Sequence, residues 1–270
     1  MDDRQFRQLL DRFDLSWSGY RRVRGGVKKR LQRHMLALGC RNFQDYMAIL
    51  TSNPAARRKL DRVMTVSVSR FFRDRKLWEI MEGEIIPYLV CQSDKRISVW
   101  SAGCAMGQEI YSFKRVWGNV EVKNPRLPEL RMLATDVDPG LLKKARAGVY
   151  AASSLRGISE ELKKTVFEPV DEDRYRVRDE LRGGIEWKVH DLVRDSVDGM
   201  FHLLFLRNSV FTYHREAVRV SVLKKVLNHL ENGGVIVIGC HEDLPPADEC
   251  LRSTTSYPSV FVKSGAGGLA

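Results

Sequence analysis

The chain has 270 residues, 43% of them hydrophobic, and a mean hydropathy of -0.31, which are ordinary values for a globular protein of one or two domains. No stretch approaches about eighteen consecutive apolar residues, so we expect no membrane span. The amino terminus lacks the apolar core of a signal peptide. Five cysteines without metal-ligand spacing predict reduced thiols in a cytoplasmic protein and no metal site.

The net charge of +11 is concentrated at the front of the chain. Residues 1–62 contain 15 of the 45 Lys and Arg residues but only 6 of the 34 Asp and Glu residues. Such a basic segment attracts an acidic partner, whether nucleic acid, lipid or an acidic protein surface. A solvated helix surface would have the same composition, so charge alone does not identify the partner.

The same front segment has helical periodicity. Apolar residues recur at helical spacing over 6–13, 27–36 and 43–50. Gly39 and the pair Asn53-Pro54 interrupt this pattern, as helix ends do. We therefore predict a small all-helical N-terminal domain, which contains no enzyme motif of its own.

From about residue 95, short apolar strands alternate with helices. The predicted strands cover 97–100, 130–134, 185–189, 201–206 and 235–239, with 258–262 as a further edge strand. Strands separated by helices predict an α/β fold, in which a mostly parallel sheet has helices on both faces. Ligands of such sheets bind beyond the carboxyl ends of the strands.

The first of these strands ends in a glycine-containing turn at 101–107. Gly103 and Gly107 have no Cβ, so the backbone can pass close to a ligand. The turn lacks the full spacing of a dinucleotide-binding fingerprint and of a P-loop.

Three carboxylates near the strand ends are candidate ligand contacts. Asp136 could accept hydrogen bonds from the hydroxyls of an adenosine ribose, or it could cap the following helix. Asp191, at the end of the next strand, could meet an adenine amino group. Glu109 could contact a cationic ligand, although the helix dipole alone would also stabilise a carboxylate at that position.

Five blocks of sequence then occur in a distinctive order. They are SRFFRD at 69–74, VWSAGCAMGQEIYS at 99–112, ATDVD at 134–138 with KARAGVY at 144–150, FLRN at 205–208, and GG at 233–234 with GCHE at 239–242. These blocks resemble the signatures of the chemotaxis-receptor glutamate O-methyltransferases, the CheR family, and the likeness covers nearly the whole chain. The resemblance implies a class I S-adenosylmethionine (SAM) methyltransferase fold, Rossmann-like, preceded by the helical domain. It implies a helical domain and linker over 1–75 and a SAM-binding catalytic domain over 76–270, with a small β-subdomain at about 166–184.

The resemblance also implies that SAM lies across the strand ends and that S-adenosylhomocysteine (SAH) is the product. It places residues at the methionine part (Gly103, Glu109), the ribose (Asp136), the adenine (Asp191, Leu192), the underside of the sulfonium (Arg207, Asn208) and the linker side of the cofactor (Ser67, Ser69, Arg73).

The implied reaction makes modest chemical demands. A carboxylate acceptor is already ionised at neutral pH, so its attack on the sulfonium methyl needs no strong general base. Catalysis would rest on positioning, and a guanidinium suits that task because it grips a carboxylate through two hydrogen bonds. We expect Arg73 to have this role, with Thr212 and Tyr213 facing the methyl group.

Several departures from the family pattern mark the chain as a divergent member. The usual GEEPYS is GQEIYS at 107–112, and Ser67 and Ser69 replace an expected Asn and Thr. Thr212 stands where the family has a tyrosine, and Tyr213 follows one residue later. These changes leave the cofactor better defined by the sequence than the acceptor.

We therefore expect an enzyme that forms methyl esters on glutamate side chains of a chemoreceptor-like helical bundle, an acidic protein docking on the basic N-terminal helices. Two alternatives stay open, methyl transfer to another protein or small-molecule carboxylate, and a non-catalytic SAM-binding regulator. Nucleic acid is a less favoured partner because the basic segment has no aromatic-stacking motif or RNA-binding module.

Overall fold

The computed structural model describes residues 1–66, 69–93, 95–245, 250–253 and 257–264. The helices are α1 (Asp3–Arg12), α2 (Trp17–Tyr20), α3 (Arg24–Ala37), α4 (Phe43–Ser52), α5 (Pro54–Met64), α6 (Arg75–Ile80), α7 (Ile86–Gln92), α8 (Gln108–Lys123), α9 (Pro139–Ala147), α10 (Glu160–Val166), α11 (Asp179–Arg182), α12 (Val210–Tyr213) and α13 (Glu216–Leu227). The strands are β1 (Arg96–Ala102), β2 (Glu129–Asp136), β3 (Val149–Ala151), β4 (Phe167–Pro169), β5 (Arg174–Val177), β6 (Ile185–Val189), β7 (Phe201–Leu206), β8 (Leu230–Ile238), β9 (Leu251–Ser253) and β10 (Val260–Lys263). A π-helical turn at Met81–Ile85 joins α6 to α7.

The chain forms two compact units. The helical unit comprises Met1–Ser67 and Ser209–Arg219, and the sheet unit comprises Val68–Asn208 and Val220–Ala270. The sequence suggested one boundary near residue 75, whereas the chain leaves the sheet unit a second time to contribute a short segment to the helical unit.

Local capping explains where the N-terminal helices begin. The Asp2 carboxylate accepts a hydrogen bond from the Gln5 backbone N–H at 2.8 Å, and the Gln5 side chain accepts one from the Asp2 N–H at 3.1 Å. This reciprocal capping box starts α1. The Asn53 side chain accepts hydrogen bonds from two N–H groups of α5, and Pro54 occupies its first turn, where the missing proline N–H costs nothing.

The segment Ser209–Arg219 completes the helical unit. The Ser16 N–H donates to the Tyr213 carbonyl oxygen at 2.9 Å, and the Tyr213 ring packs on Tyr20 with ring centroids 4.9 Å apart. Gly19 lies against the Thr212 carbonyl so closely that a Cβ would collide with it. The returning segment is therefore part of the helical core.

The sheet unit is built on seven strands in the order β6-β2-β1-β7-β8-β10-β9. The pairs from β6 to β8 are parallel, and β10 runs antiparallel to both of its neighbours. Parallel neighbours bring the carboxyl ends of β2, β1, β7 and β8 to one edge, which is where ligands of such sheets bind.

Both faces of this sheet are covered. Alternate residues of β1, β7 and β8, such as Val99, Leu203 and Val237, pack in a core with α6, α7 and α8. The intervening residues, such as Trp100 and Leu204, point to the opposite face and are also buried. The mostly parallel sheet with helices confirms the predicted α/β fold.

A second, antiparallel sheet of three strands has the order β3-β5-β4. The sequence suggested a small β-subdomain at about 166–184, which contains β4 and β5. Its third strand, β3, comes from 149–151, directly after α9. Phe71 packs on this small sheet, with its ring edge-to-face to Tyr150 and Phe167 at 4.8 Å each.

Candidate functional site

The glycine-containing turn after β1 is tied to the end of β2. The N–H groups of Gly103 and Cys104 both donate to the Thr135 carbonyl oxygen, at 2.8 and 2.9 Å. Gly103 and Gly107 have φ of 79° and 82°, a left-handed conformation that glycine adopts without strain. A Cβ on Gly107 would also lie 2.8 Å from the Trp187 ring, so only glycine fits at the start of α8.

Asp136, at the end of β2, holds the same turn with its carboxylate. Oδ2 accepts a hydrogen bond from the Ala105 N–H, and Oδ1 accepts one from the Asp138 N–H, both at 2.9 Å. Burial raises the pKa of Asp136, while these backbone hydrogen bonds oppose that shift. Helix α9 is capped by Asp138, whose carboxylate accepts from the Gly140 N–H at 2.7 Å. Capping α9 is thus not the role of Asp136. Its two oxygens offer about four lone-pair sites, which leaves acceptor capacity beyond the backbone contacts of Ala105, Val137 and Asp138.

A buried ion cluster lies at the end of β7. Arg207, whose side chain is 4% exposed, donates from Nη1 to Glu109 Oε2 at 3.0 Å and from Nη2 to Asp74 Oδ2. The other oxygen of Glu109 accepts a hydrogen bond from the Ser101 hydroxyl at 2.8 Å. One guanidinium is therefore shared by two carboxylates from separate parts of the chain.

This cluster, Asp74, Glu109, Arg207 and Ser101, has one more carboxylate than guanidinium. A buried excess of negative charge is costly unless a cation or further donors compensate it. The cluster is therefore suited to a cationic ligand. Arg207 Nε is a buried donor without a hydrogen-bond partner among the described residues, so the ligand should also offer an acceptor atom.

The segment before α6 positions Arg73. Its neighbours Phe72 and Asp74 both have left-handed backbone conformations, with φ of 50° and 61°. The Phe72 N–H donates to the Ser112 hydroxyl at 2.9 Å, and the Trp78 indole N–H donates to the Arg73 carbonyl oxygen at 2.8 Å. Two unusual backbone conformations held by such contacts are typical of functional segments.

The positive charge of Arg73 affects the pKa of Cys240, a residue that follows β8. Burial and the nearby Asp74 raise the pKa of the Cys240 thiol, and Arg73 and Arg207 oppose that shift. Arg73 and Arg207 thus share one electrostatic environment in the sheet unit. Ser69, slightly upstream, is partly buried, whereas Ser67 lies outside the described residues.

Asn208 follows Arg207 in a left-handed conformation, with φ of 54°. Its N–H donates to Glu242 Oε2 at 2.7 Å, and the Gly239 N–H donates to the same oxygen at 2.8 Å. One carboxylate oxygen therefore joins the segments that follow two neighbouring strands, β7 and β8.

Asp191 and Leu192 follow β6 but have mainly local contacts. The Asp191 carboxylate accepts a hydrogen bond from the Val193 N–H at 2.9 Å and pairs with Arg194. Leu192 is buried, and its carbonyl oxygen accepts from Lys225 Nζ at 3.3 Å. The structure therefore gives this turn a fixed shape, with the Asp191 side chain engaged inside it.

Thr212 and Tyr213, which the sequence placed beside the methyl group, both belong to the helical unit. Thr212 faces Gly19 through its carbonyl, and Tyr213 packs on Tyr20, as described above. The structure gathers the other predicted residues, apart from Ser67, in the sheet unit.

Three residues of the site were not selected as ligand contacts from the sequence. Asp74 and Glu242 are the last residues of two of the sequence blocks, and Ser101 is the first residue of the predicted glycine-containing turn. The place of Asp74 and Glu242 at the ends of those blocks was the available signal for them.

Two negative findings concern the described part of the chain. No group of three or more His, Cys, Asp or Glu side chains there is arranged to hold a metal ion. None of the helices within the described ranges has the length and hydropathy that a bilayer span requires.

The fold defines the class of protein. A seven-stranded sheet with one antiparallel strand, and a site at the carboxyl ends of its parallel strands, is that of a class I SAM-dependent methyltransferase. Residues 67–259 match the family described as CheR methyltransferase, SAM binding domain. The chain belongs to the CheR methyltransferase family, and SAM is its cofactor, as the sequence blocks predicted.

Individual relatives agree with this assignment. A chemotaxis protein methyltransferase of Listeria innocua is 32% identical over 196 residues, which cover 72% of this chain and 72% of the relative. One from Listeria monocytogenes is 28% identical over 232 residues, covering 86% of each chain. A probable chemotaxis protein methyltransferase of Rhizobium etli is 30% identical over 224 residues, covering 80% of this chain and 83% of the relative.

Proposed function

We propose that this chain transfers the methyl group of SAM to glutamate side chains of a chemoreceptor-like protein, forming methyl esters. The observation that carries the proposal is the buried cluster of Asp74, Glu109, Arg207 and Ser101. Its excess negative charge complements a cofactor that bears a sulfonium and an ammonium group.

The remaining cofactor contacts follow from the same edge of the sheet. We assign the methionine part to Gly103 and Glu109, because the turn brings the backbone close to the start of α8. The ribose is assigned to Asp136, which is buried and retains acceptor capacity beyond its backbone hydrogen bonds. The fixed turn of Asp191 and Leu192 would enclose the adenine, and Ser69 would approach from the segment before Arg73.

SAM supplies an electrophilic methyl group on a positively charged sulfur. The acceptor oxygen forms its bond to that methyl as the carbon–sulfur bond breaks, and the electron pair remains on sulfur, which gives neutral SAH sulfur. The protein must therefore align an ionised carboxylate and exclude water, and no strong base is required.

We assign the acceptor carboxylate to Arg73 rather than Arg207. Both ends of the Arg207 guanidinium are already engaged, by Glu109 and Asp74. The Arg73 backbone is fixed by the contacts of its neighbours, so its guanidinium can be presented at a defined position. Arg207 and Asn208 would then lie beneath the sulfonium.

We propose that the acidic acceptor docks on the helical unit. No Asp or Glu occurs between Asp14 and Asp45, a stretch that contains eight Lys and Arg residues. Arg30 is used internally, because it donates to the carbonyl oxygens of Val63 and Thr65 at 2.8 Å each. The exposed cations of this stretch, which we call the basic face, are Arg21, Arg22, Arg24, Lys29, Arg33 and Arg41.

A cytoplasmic location belongs to the same proposal. All five cysteines are free thiols, as is usual in a reducing compartment. The glutamate acceptor, a cytoplasmic signalling segment of a receptor, would be available there.

Two measurements test this function. Isothermal titration of SAM and SAH into the wild-type protein and Asp136→Ala should give micromolar binding that the variant loses. Incubation with methyl-labelled SAM and the cytoplasmic fragment of a chemoreceptor should then yield protein-bound label that mild base releases as methanol, which identifies a methyl ester. The same fragment with its surface glutamates changed to glutamine serves as the control acceptor.

The alternatives give different results in these assays. Label that appears only on another protein or on a small-molecule carboxylate would move the activity to that acceptor. Micromolar SAM binding without methyl transfer to any carboxylate would identify a SAM-binding regulator and contradict the proposed reaction.

A further inference from the structure

The segments that follow β7 and β8 meet at a single carboxylate. The two strands are parallel neighbours, with Leu206 opposite Ile238. Asn208 and Gly239 then follow in the two segments, and both N–H groups donate to Glu242 Oε2, at 2.7 and 2.8 Å. Hydrogen bonds to a carboxylate are about twice as strong as those between neutral groups. This oxygen therefore holds the two segments together.

The contacts of Glu242 support Asn208 in a left-handed backbone conformation, with φ of 54°. This region costs most residues with a side chain about 1–2 kcal/mol, and asparagine is among the residues that tolerate it best. The Glu242 carboxylate fixes the N–H of Asn208, and the ion pairs of Arg207 fix the residue before it.

Gly239 supplies the space for the Asn208 side chain. A Cβ on Gly239 would lie 2.5 Å from Asn208 Nδ2 and 2.7 Å from Glu242 Oε2. The Asn208 amide therefore crosses directly over the Gly239 backbone, with the Glu242 carboxylate beside it. The backbone and the side chain of Asn208 are determined by the same two residues.

We infer that Glu242 is a positioning residue for the cofactor site, acting through Asn208. This inference rests on the proposed role of Asn208 at the cofactor sulfonium, and it adds a residue that does not itself touch the cofactor. By accepting two backbone hydrogen bonds, Glu242 sets the direction in which the Asn208 amide meets SAM. At metal sites, residues that orient a ligand-binding side chain change affinity or activity by about 10- to 100-fold when they are removed, and we expect an effect of that order here.

The test is a double-mutant cycle read by SAH titration. Glu242→Ala should weaken SAH binding tenfold or more, and Glu242→Gln should stay within about threefold of wild type, because its amide oxygen can still accept both N–H groups. Asn208→Gly removes both the amide side chain and the strain at positive φ. In that background the added Glu242→Ala change should alter SAH affinity by less than threefold.

Controls separate positioning from a general loss of stability. Glu129→Gln removes an exposed carboxylate that pairs with Arg96 at the opposite end of the sheet, and it should leave SAH affinity unchanged. Thermal unfolding of every variant shows whether it is folded at the titration temperature. If Glu242→Ala does not fold, Gly239→Ala replaces it in the test, since its Cβ displaces the same Asn208 amide and should give a similar loss of affinity.

Two results would overturn the inference. One is SAH affinity in Glu242→Ala and Gly239→Ala equal to wild type. The other is an equal loss from Glu242→Ala in the wild-type and Asn208→Gly backgrounds, which would mean that Glu242 does not act through Asn208. Because SAH binding requires no acceptor, absence of methyl transfer to a chemoreceptor fragment would contradict the proposed function and leave this inference standing.

Discussion

Two aspartates at the end of β2 have different partners although they are two positions apart. Both carboxylate oxygens of Asp136 accept backbone hydrogen bonds, from Ala105 and Asp138, whereas Asp138 uses one oxygen to cap α9. An asparagine can replace an aspartate that accepts hydrogen bonds through only one oxygen. Where both oxygens accept, the NH₂ group of the asparagine would face an N–H donor, and that hydrogen bond would be lost.

This difference predicts unequal effects of the same substitution. Asp136→Asn should weaken SAH binding at least tenfold, since one buried N–H loses its acceptor at a cost of about 1–3 kcal/mol and the turn is displaced. Asp138→Asn, the matched control, should bind SAH within threefold of wild type because Asn is an equally good N-cap. Isothermal titration measures both, and wild-type affinity in Asp136→Asn would contradict the assignment of the ribose to Asp136.

Arg207 provides a second residue-scale prediction. Arg207→Met would leave Asp74 and Glu109 buried without their guanidinium, and we expect the free energy of unfolding to fall by about 3–5 kcal/mol. The matched change is Arg96→Met in the exposed pair with Glu129, which should cost about 0–1 kcal/mol. Urea unfolding of both variants measures the difference, and similar losses would show that the cluster does not stabilise the protein through Arg207.

Sequence reasoning reached some of these residues and missed others for a physical reason. Asp136 and Glu109 follow strands or begin helices, so their places at the sheet edge could be predicted from local patterns. The ion pair of Arg207 with Asp74 joins residues 133 positions apart, and no periodicity reports such a contact. The bridge from Glu242 to Asn208 depends likewise on which strands are neighbours in the sheet.

At the scale of elements, the apolar strands were the most predictable. The predicted ranges 185–189 and 201–206 agree with β6 and β7 to the residue. Strand β8 begins at Leu230, five residues before the prediction, because Leu230 already pairs with Phe201 of β7. The next pair is Leu203 with Val235, so Gly233, with a φ of 78°, lies in the irregular stretch between the two pairs. The register of the two strands shifts between Phe201 and Leu203 to accommodate this stretch, and the apolar run at 235–239 by itself could not show that the strand begins earlier.

Two glycines of the helical unit should respond in opposite ways to alanine substitution, because only Gly19 lies at the contact between α2 and the returning segment. Gly19→Ala would drive a Cβ into the Thr212 carbonyl, and we expect a loss of about 1–3 kcal/mol in the free energy of unfolding. Gly26→Ala lies in the first turns of α3 with open space around it, and it should stabilise the protein by about 0.4–1 kcal/mol. Thermal and urea unfolding measure both changes.

A stable Gly19→Ala variant would contradict the packing of Thr212 in the helical unit. A destabilised Gly26→Ala variant would instead contradict the helical conformation of the α3 amino terminus. The two outcomes are independent, because each substitution probes a different helix.

At the scale of the whole molecule, charge is divided between the two units. Residues 1–62 carry a net +9 of the total +11. If the acceptor docks on the basic face, its KM should rise with ionic strength, since exposed charges are screened beyond about 8 Å in 0.15 M salt. SAH affinity, which depends on the buried cluster of the sheet unit, should change much less.

Charge reversal tests the same division directly. The double variant Lys29→Glu and Arg33→Glu alters two exposed positions one turn apart on α3, and we expect about a tenfold rise in acceptor KM, or about 1.4 kcal/mol. Arg126→Glu, an exposed position of the sheet unit, is the control. Methyl-transfer kinetics over a salt series measure both, and equal responses of the variants would exclude the basic face as the dock.

The segment Ser209–Arg219 has a consequence for how this protein is made. Asp11 and Arg215, an ion pair of the helical unit, are separated by 204 positions in the chain. During synthesis, α1 to α5 leave the ribosome long before the segment that completes their core. Until Tyr213 is synthesised, Tyr20 lacks its ring contact and the Ser16 N–H lacks its acceptor. Domains commonly fold in order from the amino terminus, but here the first unit to be synthesised is completed only after most of the second. Co-translational folding of this chain therefore cannot proceed one unit at a time.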